Sequence, residues 1–157
     1  MRLSMSAIEF RQLMIAVALL ISGVCAGCGP SHEGPELKPA TGMVMLDDKP
    51  LVNADVYFLP INDTPGIGGK GRTREEGEFE IVYYRGGQGL PPGDYRVAVS
   101  YRLMPDGAPV PEDDATPSIE SPARESLPSR YSSQEQSALR ATVASGQPVE
   151  LKLTTKK

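Results

Sequence analysis

The sequence predicts an all-β body, an antiparallel sandwich of about six or seven short strands. Three observations carry that expectation. Beyond residue 40, apolar residues recur at every second position in short runs, the spacing of side chains along one face of a strand. Turn residues separate the runs, and 16 Gly with 15 Pro in 157 residues supply many turns. The length suits one domain, and neither an internal repeat nor a second domain is visible.

The elements follow in order along residues 41–157. Thr41 to Leu46 is the first strand, closed by Asp47-Asp48-Lys49-Pro50, and Ala54 to Leu59 is the second; together they read as a hairpin. A third short strand is expected near Arg72, then a turn at Glu75-Glu76-Gly77 and a strand over Glu78 to Tyr83 with Phe79, Ile81 and Tyr83 on one face. After a loop from Arg85 to Gly93 comes the clearest strand, Asp94 to Arg102, in which Tyr95, Val97, Val99 and Tyr101 alternate with Arg96, Ala98, Ser100 and Arg102. Residues 104–126 (Met104 to Ser126) hold too little apolar material for an element and are expected as a long mobile loop. Leu127 to Val143 reads two ways, with one helical turn over Gln134 to Leu139 or the start of a strand at Ala141 to Val143. Val149 to Leu153 closes the set, with Val149, Leu151 and Leu153 inward. Short strands with turns about every ten residues are the ingredients of an Ig-like or prealbumin-like sandwich.

The N-terminal segment is set apart. Met1 to Gln12 carries Arg2 and Arg11 with the single acid Glu9, and Leu13 to Val24 (LMIAVALLISGV) has no charge. This is the pattern of a secretory signal. Twelve such residues make ~18 Å of helix, short of the ~30 Å hydrocarbon core. The next stretch, Val24-Cys25-Ala26-Gly27-Cys28, resembles the lipobox of bacterial lipoproteins, with Cys25 where Leu is usual. The resemblance implies removal of residues 1–27 as a lipoprotein signal peptide and lipidation of Cys28, whose acyl chains would hold the chain at a membrane. A redox or zinc role for the Cys25-x-x-Cys28 pair would need a βαβ context or a second ligand pair, and neither is present. Residues 28–40 are Pro- and Gly-rich and polar, the composition of a flexible tether. The sole histidine, His32, falls in it and is read as solvated. Gly29 after the cysteine is consistent, by family analogy, with an exported lipoprotein on the periplasmic face of the outer membrane.

Composition and charge remove several functions. A formal charge of −4 disfavours a nucleic-acid partner. One His and two Cys give no multi-histidine metal site and no His-based triad. Gly66-Ile-Gly-Gly-Lys-Gly71 matches G-x-G-x-x-G but lacks the βαβ setting of a dinucleotide site, so it reads as a flexible hairpin loop. Asp106, Glu112, Asp113 and Asp114 supply hard oxygens for calcium without a recognised spacing, and a solvated acidic loop is the plainer reading. Glu78 and Glu80 share a face, but with no Trp to stack a sugar they do not make a glycosidase pair. No catalytic residue, cofactor or metal is expected.

Four stretches carry a family resemblance: Gly42 to Leu51, Ala54 to Phe58, Glu76 to Ile81, and Leu90 to Val97 (LPPGDYRV). In order and spacing they resemble the carboxypeptidase regulatory-like (transthyretin-like) domain, over about residues 41–153. Leu127-Pro-Ser-Arg-Tyr131 and Ser137 to Val143 are similar to small lipoproteins of planctomycete-type bacteria that carry this module. The resemblance implies structural roles for Gly42, Pro50, Gly77, Phe79, Pro92, Gly93 and Tyr95. Tyr95 is expected between the sheets with its hydroxyl bonded to loop backbone, as in a tyrosine corner. Asp48 stands where the family has Gly, so that turn must accept a side chain at positive φ; Glu76 replaces the usual Asp. Hydroxyisourate hydrolases of similar fold use several histidines and a C-terminal tyrosine motif, and this chain has neither.

The sequence is therefore expected to encode a non-catalytic, lipid-anchored β-sandwich of the cell envelope, with a structural or protein-interaction role. Its expected partners are the membrane, through the lipid, and an envelope protein or glycan. The alternative is a carbohydrate- or peptide-binding module using Thr64 to Gly71 and Met104 to Ser126 as loops at one end.

Overall fold

The computed structural model describes residues 34–144 and 146–155. Residues 1–27, expected as a signal peptide, with Cys28 and His32, lie outside the described residues, and among those described no helix is long and apolar enough to cross a membrane. Residues Pro35–Lys157 make one compact unit.

That unit is all β, two sheets with the core between them. The first sheet is built on β1 (Thr41–Leu46). On one side β1 pairs with β11 (Val149–Leu153), from Gly42 opposite Val149 to Leu46 opposite Leu153, and this pairing is parallel. On its other side it takes two short antiparallel strands, β2 (Lys49–Pro50) and β5 (Glu78–Glu80). The second sheet runs β10 (Leu139–Val143), β7 (Gly93–Ser100), β3 (Asp55–Pro60), β4 (Gly69–Arg72), β6 (Val82–Tyr83). A separate ribbon pairs β8 (Arg102–Leu103) with β9 (Arg124–Glu125).

The period-two pattern holds at the level of burial. Val56 and Phe58 on β3, Tyr95, Val97 and Val99 on β7, and Phe79, Ile81 and Tyr83 across β5 and β6 are all buried. The ring of Phe58 lies 6.0 Å from Phe79 of the other sheet and 5.8 Å from Tyr95, both tilted, so aromatic contacts link the layers. Within the run Glu78 to Tyr83 the chain changes sheets at Ile81, whose N–H donates to Ala40 (2.9 Å) and whose carbonyl accepts from Gly89 (2.8 Å). One stretch of alternating sequence thereby serves both layers.

Several expectations are corrected. Thr41 to Leu46 and Ala54 to Leu59 do not form a hairpin. The tight turn at Asp47-Asp48 returns the chain to β1 as β2, and Asn53 (φ 64°) turns it into the other sheet, where Asp55–Pro60 pairs with β4 and β7. Gly69 to Gly71, expected as flexible loop, belong to strand β4. A Cβ on Gly69 would strike the carbonyl of Val82 and lie 2.8 Å from Ile81, so glycine lets β4 pass close to the crossing strand. The helical turn is α1 (Ser129–Ser132), ahead of the expected Gln134 to Leu139; Tyr131 on it joins the core, and Ser137 closes the segment by donating from its hydroxyl to the Val97 carbonyl. Residues 37–40, assigned to the tether, are part of the body: Lys38 and Leu90 exchange backbone hydrogen bonds of 2.8 and 2.9 Å, and Ala40 is buried.

Candidate functional site at the two ends of the sandwich

Strands β3 and β7 run in opposite directions, and their register decides where the loops go. Pro60 pairs with Tyr95 at one end of the ladder and Asp55 with Ser100 at the other. Loop 61–68, which follows β3, therefore leaves one end, and the long segment after Ser100 leaves the other. At about 3.4 Å per residue, the ladder separates the two by about 17 Å. Thr64 to Gly71 and Met104 to Ser126, expected together at one end, are thus not together: residues 64–68 lie at the end opposite Met104, and Gly69 to Gly71 run back along β3 as strand. The N-terminal segment enters the body beside loop 61–68, at the Lys38–Leu90 bridge.

At this first end the loops are held by side chain-to-backbone bonds. Thr64 Oγ1 accepts from the Asp94 N–H (2.8 Å) and donates to the Asp94 carbonyl (3.0 Å). Gly93 (φ 154°) leaves room for that threonine, because a Cβ there would collide with it. The Asp94 carboxylate accepts from Thr142 Oγ1 (2.7 Å). Beneath them the Tyr95 hydroxyl donates to the Pro91 carbonyl (2.7 Å) with no exposed surface on the ring, the arrangement expected from the sequence. Burial, with a smaller repulsion from Tyr83, pushes the Tyr95 phenol up to about 12. Pro92 is exposed on the same turn. These bonds tie loop 61–68 and the turn before β7 to the strands.

At the far end the organising group is Glu125, which sequence reasoning missed. Its Oε1 accepts from the backbone N–H groups of Tyr101 (3.0 Å), Ser126 (3.0 Å) and Leu127 (2.9 Å), and its Oε2 accepts from the Ser100 hydroxyl (2.6 Å). Arg102 donates to Ser118 Oγ (3.0 Å) and to the carbonyls of Ser118 and Ala123. Arg72 donates to Asp55 (3.3 Å) and to the Val110 carbonyl. Burial raises the Asp55 carboxyl above its ordinary value, against the downward pull of Arg72 and Lys70. The segment read as a mobile loop is thus closed at its base by a β-ribbon and three charged side chains. No periodicity marks these residues, since each also bonds groups distant in sequence.

Between ribbon and loop lies an open cleft of about 460 Å³, lined by Leu103, Met104, Pro105, Pro122, Arg124 and Glu125 among others. The Glu125 carboxylate on its wall is already occupied by four donors. The acids of the loop do not converge. Asp106 accepts from Ala108 N (3.0 Å) and Asp114 from Thr116 N (2.9 Å), each closing its own turn, and among the described residues no three potential metal ligands come together. Glu78 and Glu80 are exposed on β5, away from the cleft.

Among the residues named from the family pattern, Gly42 lies on β1 against the Phe79 ring, Pro50 is exposed on β2, and Gly77 (φ 74°) turns the chain where a Cβ would strike the Val44 carbonyl. Comparison with protein-family models, with curated proteins and with solved structures finds no match to this chain.

Proposed function

We propose that the chain is a lipid-anchored, non-catalytic module of the bacterial cell envelope, of carboxypeptidase regulatory-like type, that holds a partner at its membrane-distal end. The observation that carries this reading is the polarity of the body. Its N-terminal segment joins at one end of the β3–β7 ladder, and the 104–126 loop with its cleft leaves the other. A body tied to a bilayer through Cys28, by a reach of about 35 Å, leaves that loop free to face outward. The resemblance of residues 24–28 to a lipobox supplies the anchor, and two or more acyl chains on one sulfur make release slow.

Intact-mass measurement of the protein from a bacterial envelope tests the anchor. The expected result is a chain that begins at Cys28 and carries acyl chains, with the Cys28→Ser variant left unlipidated; an unmodified wild-type chain overturns the reading. Retention of an envelope protein by the wild type, lost when residues 105–121 are replaced by a short Gly-Ser linker, supports presentation by the loop. Specific retention of a sugar on a glycan array favours the second reading, a carbohydrate- or peptide-binding module, which now rests on the 104–126 loop and its cleft alone.

A further inference from the structure

Five large hydrophobic side chains are exposed among the described residues, and three of them, Ile67 (45%), Val82 (48%) and Tyr84 (46%), fall at one corner, on the edge made by β6 and the loop before β4. The backbone brings them near one another: Tyr84 N–H donates to the Gly68 carbonyl (3.1 Å), next to Ile67, while Val82 pairs with Lys70 two residues along the same edge. This is also the corner where the N-terminal segment joins the body, since Lys38 bridges Leu90 and a Cβ on Gly87 would touch the side chain of Leu37.

We propose that Ile67, Val82 and Tyr84 form a second membrane contact, which lays this corner of the body on the lipid surface to which Cys28 is anchored. The inference rests on the anchor reading and adds to it an orientation. Ten residue steps separate Cys28 from Lys38, which at full extension span about 35 Å. A tether of that reach keeps the corner close to the bilayer without setting which surface faces it. Tyrosine is suited to the task, because its ring is apolar and its hydroxyl reaches the headgroup layer. Lys70 and Arg85, both exposed at the same corner, can meet lipid phosphates.

Charge favours the same orientation. Between residues 104 and 126 there are six acids against one base, so the opposite end is repelled by a phosphate-bearing surface. Three side chains are too few for a free-standing protein interface, which buries ~800 Å² on each partner. They suffice as an auxiliary contact for a body already held nearby.

The chain has no tryptophan, so Tyr84→Trp and Ile119→Trp each introduce a single fluorophore, at the proposed contact and at the opposite end. The full lipidated protein is reconstituted into vesicles of phosphatidylcholine and anionic phosphatidylglycerol, with and without brominated acyl chains. The expected result is a blue-shifted emission quenched by bromine for Tyr84→Trp and no quenching for Ile119→Trp. Val82→Trp, on the same corner, must behave as Tyr84→Trp does. Absence of quenching at both corner positions, in protein that floats with vesicles and whose mass shows lipid on Cys28, overturns the contact and leaves the anchor standing. Equal quenching at both ends also overturns it. Protein that carries no lipid and does not float overturns the anchor and the contact with it.

Discussion

The hydroxyl of Tyr95 donates to the carbonyl of Pro91, four residues earlier, at 2.7 Å, and both residues are fully buried. The bond ties the loop that precedes β7 to the strand it launches. Tyr95→Phe keeps the ring and leaves the Pro91 carbonyl unpaired in the interior, a loss of about 1–3 kcal/mol. Urea unfolding should show this as a lower midpoint with an unchanged slope; a loss under about 0.5 kcal/mol would exclude an unpaired buried carbonyl.

The same residue sets an alkaline limit. Burial, and secondarily Tyr83, holds the folded-state phenol at about 12 against an ordinary value near 10. From pH 10 upward the unfolded chain gives up this proton while the folded chain keeps it. The contribution is therefore intact below pH 10 and lost as the pH rises from 10 toward 12. Unfolding free energies measured across that window should fall more steeply for the wild type than for Tyr95→Phe.

Gly42 has an ordinary backbone conformation, and its requirement is space. A Cβ there would lie 2.6 and 2.9 Å from two carbons of the Phe79 ring and press on the Val149 carbonyl, between the two strands that flank β1. Gly42→Ala should cost about 1–3 kcal/mol through overpacking. Combining it with Phe79→Leu should recover the part of that loss owed to the ring, a strictly additive double variant would place the clash on the Val149 carbonyl, and an unchanged Tm for Gly42→Ala would exclude a steric requirement.

The turn between β1 and β2 holds Asp47 (φ 49°) and Asp48 (φ 63°), both left-handed, the geometry of a two-residue hairpin turn. The Asp47 carboxylate also accepts from Thr154 Oγ1 (3.0 Å) and the Thr155 N–H (3.1 Å), holding the end of β11. Asp48 faces no such demand and carries the strain of a side chain. Asp48→Gly is expected to raise stability by up to about 1 kcal/mol, read as an increase in Tm, and Asp48→Ala to lower it.

Glu125→Ala removes the acceptor of three backbone amides and one hydroxyl. These groups are near the surface and water recovers part of the loss, so global stability should fall by no more than about 1 kcal/mol. Local opening of the ribbon should rise by up to about fivefold, the same free energy expressed as a population. Limited proteolysis within residues 104–122 should accelerate by that factor. Cleavage at the wild-type rate would mean that Glu125 does not hold the ribbon closed.

How much of this was legible in advance depends on the range of the interaction. The inward faces of Glu78 to Tyr83, of β7 and of β11 were readable because alternation is written into each strand. The Tyr95 corner was readable because its partner is four residues away. Glu125 was not: it lies in an acidic, proline-rich segment, and its partners at Ser100 and Tyr101 are more than twenty positions off. The two ends of the molecule were misjudged for the same reason, since the separation of Thr64 from Met104 follows from the β3–β7 register.

The amino-acid order by itself determined that this chain folds as sheets and which side chains enter the interior. Those are properties of one segment and its immediate neighbours, set by side-chain direction and backbone sterics. The fold alone decided that Thr41–Leu46 takes Val149–Leu153 as a parallel neighbour, that Ile81 carries one strand from sheet to sheet, and that the glycines at 69 and 71 sit inside a strand. Each of those choices is made between segments far apart in the chain, where a common core must be filled by all strands at once, and no local pattern specifies which strand lies beside which.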